Sequence, residues 1–184
     1  TMRVALSILL KEEMGVKNIL EREHEMLDII WKRLDKLPNV RILARQHRNR
    51  LGVISFYIDN LHFNLAVKLL NDRFGIQVRG GCSCAGTYGH YLLEVSHEKS
   101  RKLTDEINLG FLNNKPGWIR MSIHPIMTND EIEYILDSIE ALCKYHKSWS
   151  EDYLYSAHTN EWTHKSTPTT EADIVNTWYN SRLV

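Results

Sequence analysis

A chain of 184 residues, 43% of them hydrophobic, has enough apolar side chain for one domain with a core and a peripheral extension. Its 23 basic residues balance 23 acidic ones, so no one-sign field points to nucleic acid or to an anionic membrane as a partner. No apolar run approaches the roughly 20 residues that span a bilayer, and 3 cysteines do not make a disulfide framework, so a reducing, cytoplasmic setting is expected.

The opening segment, TMRVALSILLKEEMGV, has acidic residues straight after its apolar patch and no clear small-residue cleavage site, and it does not read as a signal peptide. Thr1 precedes Met2 and the chain enters directly into a helical pattern, as expected of a piece of something longer. From Val4 to Lys36 apolar residues recur at helical spacing, which predicts one long helix or two, with Gly15 as the weak point and Pro38 as the stop. A helix of this kind links domains or packs along a neighbouring one.

Two strands follow, a short one over Val40 to Leu43 and a β-rich one over Leu51 to Ile58. The basic run ARQHRNR between them reads as a solvated hairpin loop. HFNLAVKLLNDRFG is an amphipathic helix closed by Gly75, and IQVRG follows as a strand. Beyond the cysteine-rich stretch come a helix around YLLEV and a polar segment from Ser96 to Asn108. GWIRMSIHP reads as a strand after the turn NNKPG. TNDEIEYILDSIEALCKYHK is a helix with Thr128 and Glu131 in capping-box positions. From Ser148 the texture turns polar, aromatic and Thr-rich, with a last helix through EADIVNTWYNSRL and Trp and Tyr residues to pack the tail on the body. The alternation predicts an α/β or α+β two-layer fold, with a short sheet packed against helices. The expected organisation is a linking helix over residues 1–37, a small α/β domain over 38–147 and an extension over 148–184.

The chemistry concentrates in VRGGCSCAGTYGH, from Val78 to His90. Glycines after a strand let backbone approach a ligand closely. Arg79 and a following helix N-terminus would favour the thiolate, the nucleophilic form of cysteine. Free cysteines are also common small core hydrophobes, so spacing alone leaves Cys82 and Cys84 open between the two roles. Cys143, between Leu142 and Lys144 on a helix, reads as core. A metal site from Cys82, Cys84 and His90 lacks the paired C-x-x-C spacing of structural zinc.

FGIQVRGGCSCAG resembles the small C-terminal domain of the class V aminotransferase fold, in its cysteine desulfurase and selenocysteine lyase branch. Gly75, Ile76, Val78, Arg79, Gly81, Cys84 and Ala85 fall on that branch's G-I-x-V-R-x-G-x-x-C-A run. IRMSIHPIMTNDEIE supplies a second, weaker match through Arg120, Ser122 and Thr128. The resemblance runs from about Val4 to about Lys147. It implies the small domain of a fold-type I pyridoxal phosphate enzyme, homodimeric at full length. Its cofactor would be bound through a lysine of a large domain expected before residue 1, and the cofactor would be the electron sink.

The resemblance implies further that Cys84 attacks the sulfur of a cysteine substrate to form a persulfide as alanine leaves. Arg120 would hold the substrate carboxylate, a task suited to the bidentate guanidinium, with Arg79 beside it. Cys82 and Ser83 stand where desulfurases with this loop have two histidines, which keeps Cys82 open as an alternative nucleophile or resolving partner. Lys165, in THKSTP, mimics a cofactor-bearing histidine–lysine pair but falls after the small domain and reads as a surface lysine. No pyridoxal phosphate site and no metal site is expected in this chain alone, and alone it is expected to be inactive. Two alternatives stay open. One is a class V transaminase or related lyase with structural cysteines, and the other is a non-enzymatic metal-binding or interaction module.

Overall fold

The computed structural model describes residues 2–82, 86–166 and 171–180. The opening helical pattern breaks at Gly15, whose φ of 81° L side chains rarely adopt, into α1 (Met2–Met14) and α2 (Val16–Leu34). α1 buries no residue, whereas α2 buries Met26, Leu27, Ile30, Trp31 and Leu34, one stripe at helical spacing. No helix among the described residues is long and apolar enough to cross a membrane.

β1 (Val40–Ile42) and β2 (Val53–Ile58) follow. The basic run between them is exposed over residues 45–49, as expected of a solvated loop, and it is also tethered. Arg45 and Arg48 reach back to the Asp35 carboxylate at 2.8 and 2.9 Å, and the Arg48 guanidinium lies 4.2 Å from the Trp31 ring centre. α3 (Phe63–Phe74) is closed by Gly75 in the left-handed conformation at φ 68°. β3 is shorter and later than IQVRG suggested, Arg79–Gly81. Ile76 and Val78 pack against the core without joining the ladder, so their alternation reports burial and not pairing.

α4 (Gly86–Leu92) starts earlier than YLLEV implied and stops before Glu94, whose φ of 53° breaks the helical path. The polar segment after it is a full helix, α5 (His97–Asn108), capped by the Ser96 hydroxyl accepting from Lys99 N at 3.3 Å. β4 (Trp118–Ser122) and α6 (Asn129–Ser150) come next. At the α6 start the Thr128 hydroxyl accepts from Glu131 N at 3.2 Å, and the Glu131 carboxylate accepts from Thr128 N at 2.8 Å. This is the reciprocal cap that the sequence predicted.

The extension contains an unanticipated hairpin, β5 (Tyr153–Ser156) and β6 (Glu161–His164), and then α7 (Glu171–Asn180). As expected, aromatics seat the hairpin on the body. Tyr153 is buried and its hydroxyl donates to Asp72 Oδ2 at 3.0 Å, and Trp162 Nε1 donates to His62 Nδ1 at 3.3 Å.

The main sheet has the order β1-β2-β4-β3 and is antiparallel throughout, which makes the fold α+β in two layers. Register sorts its residues by face. Val40 opposite Ile58, Ile42 opposite Phe56, Phe56 opposite Ile119 and Ile54 opposite Met121 form one apolar face. α2, α3 and α6 cover it, closing a core with Leu69, Leu136 and Ile139. Two lateral ties hold α2 to α6. Arg22 Nη2 donates to Asn129 Oδ1 at 2.8 Å, and Arg33 pairs with Glu133, Asp137 and Glu140.

Candidate functional site

The other face of the sheet carries the polar register. Ser55 lies opposite Arg120, Arg79 opposite Arg120 and Gly81 opposite Trp118. Arg79 and Arg120 are therefore neighbours across two antiparallel strands, the first exposed and the second half-buried. Neither forms an ion pair among the described residues. Two cations placed directly opposite repel each other. A carboxylate between them would reverse the sign of that interaction, with two guanidinium forks to receive its oxygens.

The cysteine loop leaves the sheet at the end of β3, where Gly81 turns the chain at φ 116°. Cys82 follows, half-buried, with its Sγ donating to the Pro116 carbonyl at 2.7 Å. Burial pushes its thiol pKa up, against a smaller downward pull from the Lys115 ammonium. A thiol that is both donating and raised is held in the protonated form. Cys84 lies outside the described residues, as do Ser83 and Ala85.

α4 begins directly beyond the loop, at Gly86. Its Gly89 lies so close to Trp118 that a Cβ there would stand 3.2 Å from the indole. His90 Nδ1 and Ser100 Oγ are 2.7 Å apart, which ties α4 to α5. Cys82 and His90 thus share one cleft of about 990 Å³, walled also by Ser100, Lys115, Pro116 and Asn160. Arg79 and Arg120 do not line it. Among the described residues no group of three His, Cys, Asp or Glu side chains is placed to hold a metal.

The remaining marked residues sit elsewhere. Cys143 packs against the core from α6, its thiol pushed up to about 11 by burial and then by Glu140. Lys165 follows β6, exposed, with its Nζ donating to the Glu151 carbonyl. Lys115, Ser100 and Asn160 were not marked from sequence. Lys115 belonged to a turn signal, Ser100 to a segment read only as polar and Asn160 to a tail with no strand signal, so nothing local pointed to a shared cleft.

The family model for class-V aminotransferases matches residues 1–135. A probable cysteine desulfurase from Synechocystis sp. is 25% identical over 135 residues, which cover 72% of this chain and 27% of that protein. A cysteine desulfurase from Haloferax volcanii is 23% identical over 108 residues, 53% of this chain and 25% of that one. The apo structure of a cysteine desulfurase from Thermococcus onnurineus NA1 aligns with a TM-score of 0.49 and 25% identity, over 72% of this chain and 28% of that one. The chain thus spans about a quarter of the length of the curated relatives it matches. With the family model matching well over half of its residues, the chain belongs to the class-V aminotransferase family.

Proposed function

We propose that this chain is the small-domain portion of a pyridoxal phosphate-dependent cysteine desulfurase, and that residues 1–37 and 38–147 form its linking helix and domain body. The observation that carries this reading is the Arg79–Arg120 pair, set on the sheet face opposite the core, beside the strand end from which the cysteine loop departs. Arg120, half-buried at the centre of the pair, receives the substrate carboxylate, and Arg79 completes the positive field from the edge strand. Cys84 is the nucleophile. An S–S bond forms between Cys84 and the substrate sulfur, the C–S bond of the cysteine substrate breaks, and the carbon takes a proton to leave as alanine. Cys82 is favoured less for this role because its thiol is half-buried, raised by burial and already donating to Pro116.

Pyridoxal phosphate supplies the electron sink in such chemistry. The Arg79–Arg120 face does not fit that group. The strand residues flanking Arg79 and Arg120 include no lysine, and Lys165 is engaged on the extension hairpin. The cofactor's lysine and phosphate seat are therefore assigned to the part of the protein outside this chain, and the chain alone turns over no cysteine.

The test uses the full-length protein with cysteine and a sulfur acceptor. Cys84→Ala should abolish alanine and sulfide release, while Cys82→Ala should retain it. Arg120→Ala should raise KM for cysteine by roughly two orders of magnitude through loss of a charge-assisted contact. Undiminished release by Cys84→Ala would remove the persulfide step. Amino-group transfer to a keto acid without sulfur release would identify a transaminase instead.

A further inference from the structure

The cleft at the end of β3 is not lined by Arg79 or Arg120. Its polar wall is cationic or neutral throughout. Lys115 comes from the loop before β4, His90 from α4, and His97 and Ser100 from the first turn of α5. No Asp or Glu lines it among the described residues, although the chain as a whole carries 23 acids to 23 bases. Lys115 has no ion-pair partner among the described residues, and its charge acts on Cys82 across the same wall. Apolar surface from Phe63, Val95 and Ile107 faces these groups.

The rim is held in place. Asn160, buried in the hairpin turn at φ 58°, accepts from Tyr155 Oη at its Oδ1 (2.9 Å) and from Asn64 Nδ2 at its carbonyl (2.6 Å). This wall lies beyond residue 135, where the match to the family model stops, so the cleft combines a family scaffold with a feature of this chain.

We infer that the cleft is a binding site for a small organic anion, a carboxylate or phosphate head on a short apolar stem. Lys115 and the His90–Ser100 pair hold the head, and Phe63, Val95 and Ile107 hold the stem. At about 990 Å³ it falls at the upper end of the ~300–1,000 Å³ typical of small-molecule sites. A head group placed there meets a cation and the one donor the His90–Ser100 pair leaves free, the hydroxyl or the imidazole N–H according to the tautomer, without a competing carboxylate among the described lining residues. Partial removal from water strengthens each of those contacts. The site is distinct from the Arg79–Arg120 face and does not depend on the desulfurase reading.

Calorimetric titration of the full chain tests this with inorganic phosphate, acetate and butyrate as probes. The expected result is saturable binding of phosphate or of butyrate, with butyrate tighter than acetate because the stem is buried. Binding of only one of the two heads keeps the site and identifies its head group. Lys115→Met should weaken binding roughly tenfold. His90→Gln gives the same reading should Lys115→Met fail to fold. Absence of saturable binding overturns the proposal. So does unaffected binding in both Lys115→Met and His90→Gln, since the anion would then lie outside the cleft. Butyrate no tighter than acetate removes the apolar stem.

Discussion

The two faces of the main sheet are made by the same strands and serve opposite ends. One face, Ile54, Phe56, Ile58, Ile119 and Met121, is buried under three helices. The other, one residue out of phase, holds Ser55, Arg79 and Arg120, with Arg79 exposed and Arg120 half-buried. In a strand the side-chain period is two, so a single register decides both at once. The covered face supplies stability, and the opposite one carries like charges that stability would avoid. That difference separates substitutions expected to unfold the chain from those expected to change only what it binds.

The largest effect belongs to the covered face. Phe56, fully buried, should cost about 3–5 kcal/mol when replaced by alanine, through lost burial and the cavity left behind. Denaturant unfolding measures it, and a cost under about 1 kcal/mol would break the assignment of Phe56 to the core centre.

Next comes the seam between body and extension. Burial, and then the hydrogen bond to the Asp72 carboxylate, push the Tyr153 phenol up to about 12 from 10.0. Its folded-state pKa is raised, so its contribution is fully present below pH 10 and is lost as pH rises through about 12. A fall of order 2 kcal/mol across that window should appear in unfolding curves and be absent in Tyr153→Phe. Thr128→Ala should cost about 1 kcal/mol by removing half of a reciprocal cap, read as a lower thermal midpoint.

The smallest stability change is predicted for the opposite face. Arg120→Ala should shift stability by no more than a few tenths of a kcal/mol, toward greater stability at low salt, because it relieves repulsion from Arg79. A large destabilisation would show that Arg120 is a structural residue and would count against its proposed role with substrate.

Elements with local punctuation were legible in the chain. α6 announced itself through Thr128 and Glu131, α3 through Gly75, and the α1–α2 break through Gly15, because caps and left-handed turns are satisfied within a few residues. α5 was read only as polar, since Leu103 is its one buried residue and a single apolar contact makes no stripe. The β5–β6 hairpin carries no strand signal because its burial alternates while its hydropathy does not, with Leu154 exposed between Tyr153 and Tyr155, and because its aromatics are held by His62 and Asp72, far away in sequence. At the candidate site, the sequence marked Arg79, Arg120, Cys82 and Cys84 but could not say which of them meet.

What the sequence determined by itself was the two-layer class, most helices, and the motif around Cys84 that tied the chain to its family. These rest on periodicity, caps and residue identity, all local quantities. Tertiary structure alone decided that Arg79 and Arg120 stand opposite each other, that Cys82 is turned to Pro116, and that Lys115, Ser100 and Asn160 wall one cleft. Those outcomes depend on strand register and helix docking, which are set by burial summed over the whole core and by contacts between residues distant in the chain.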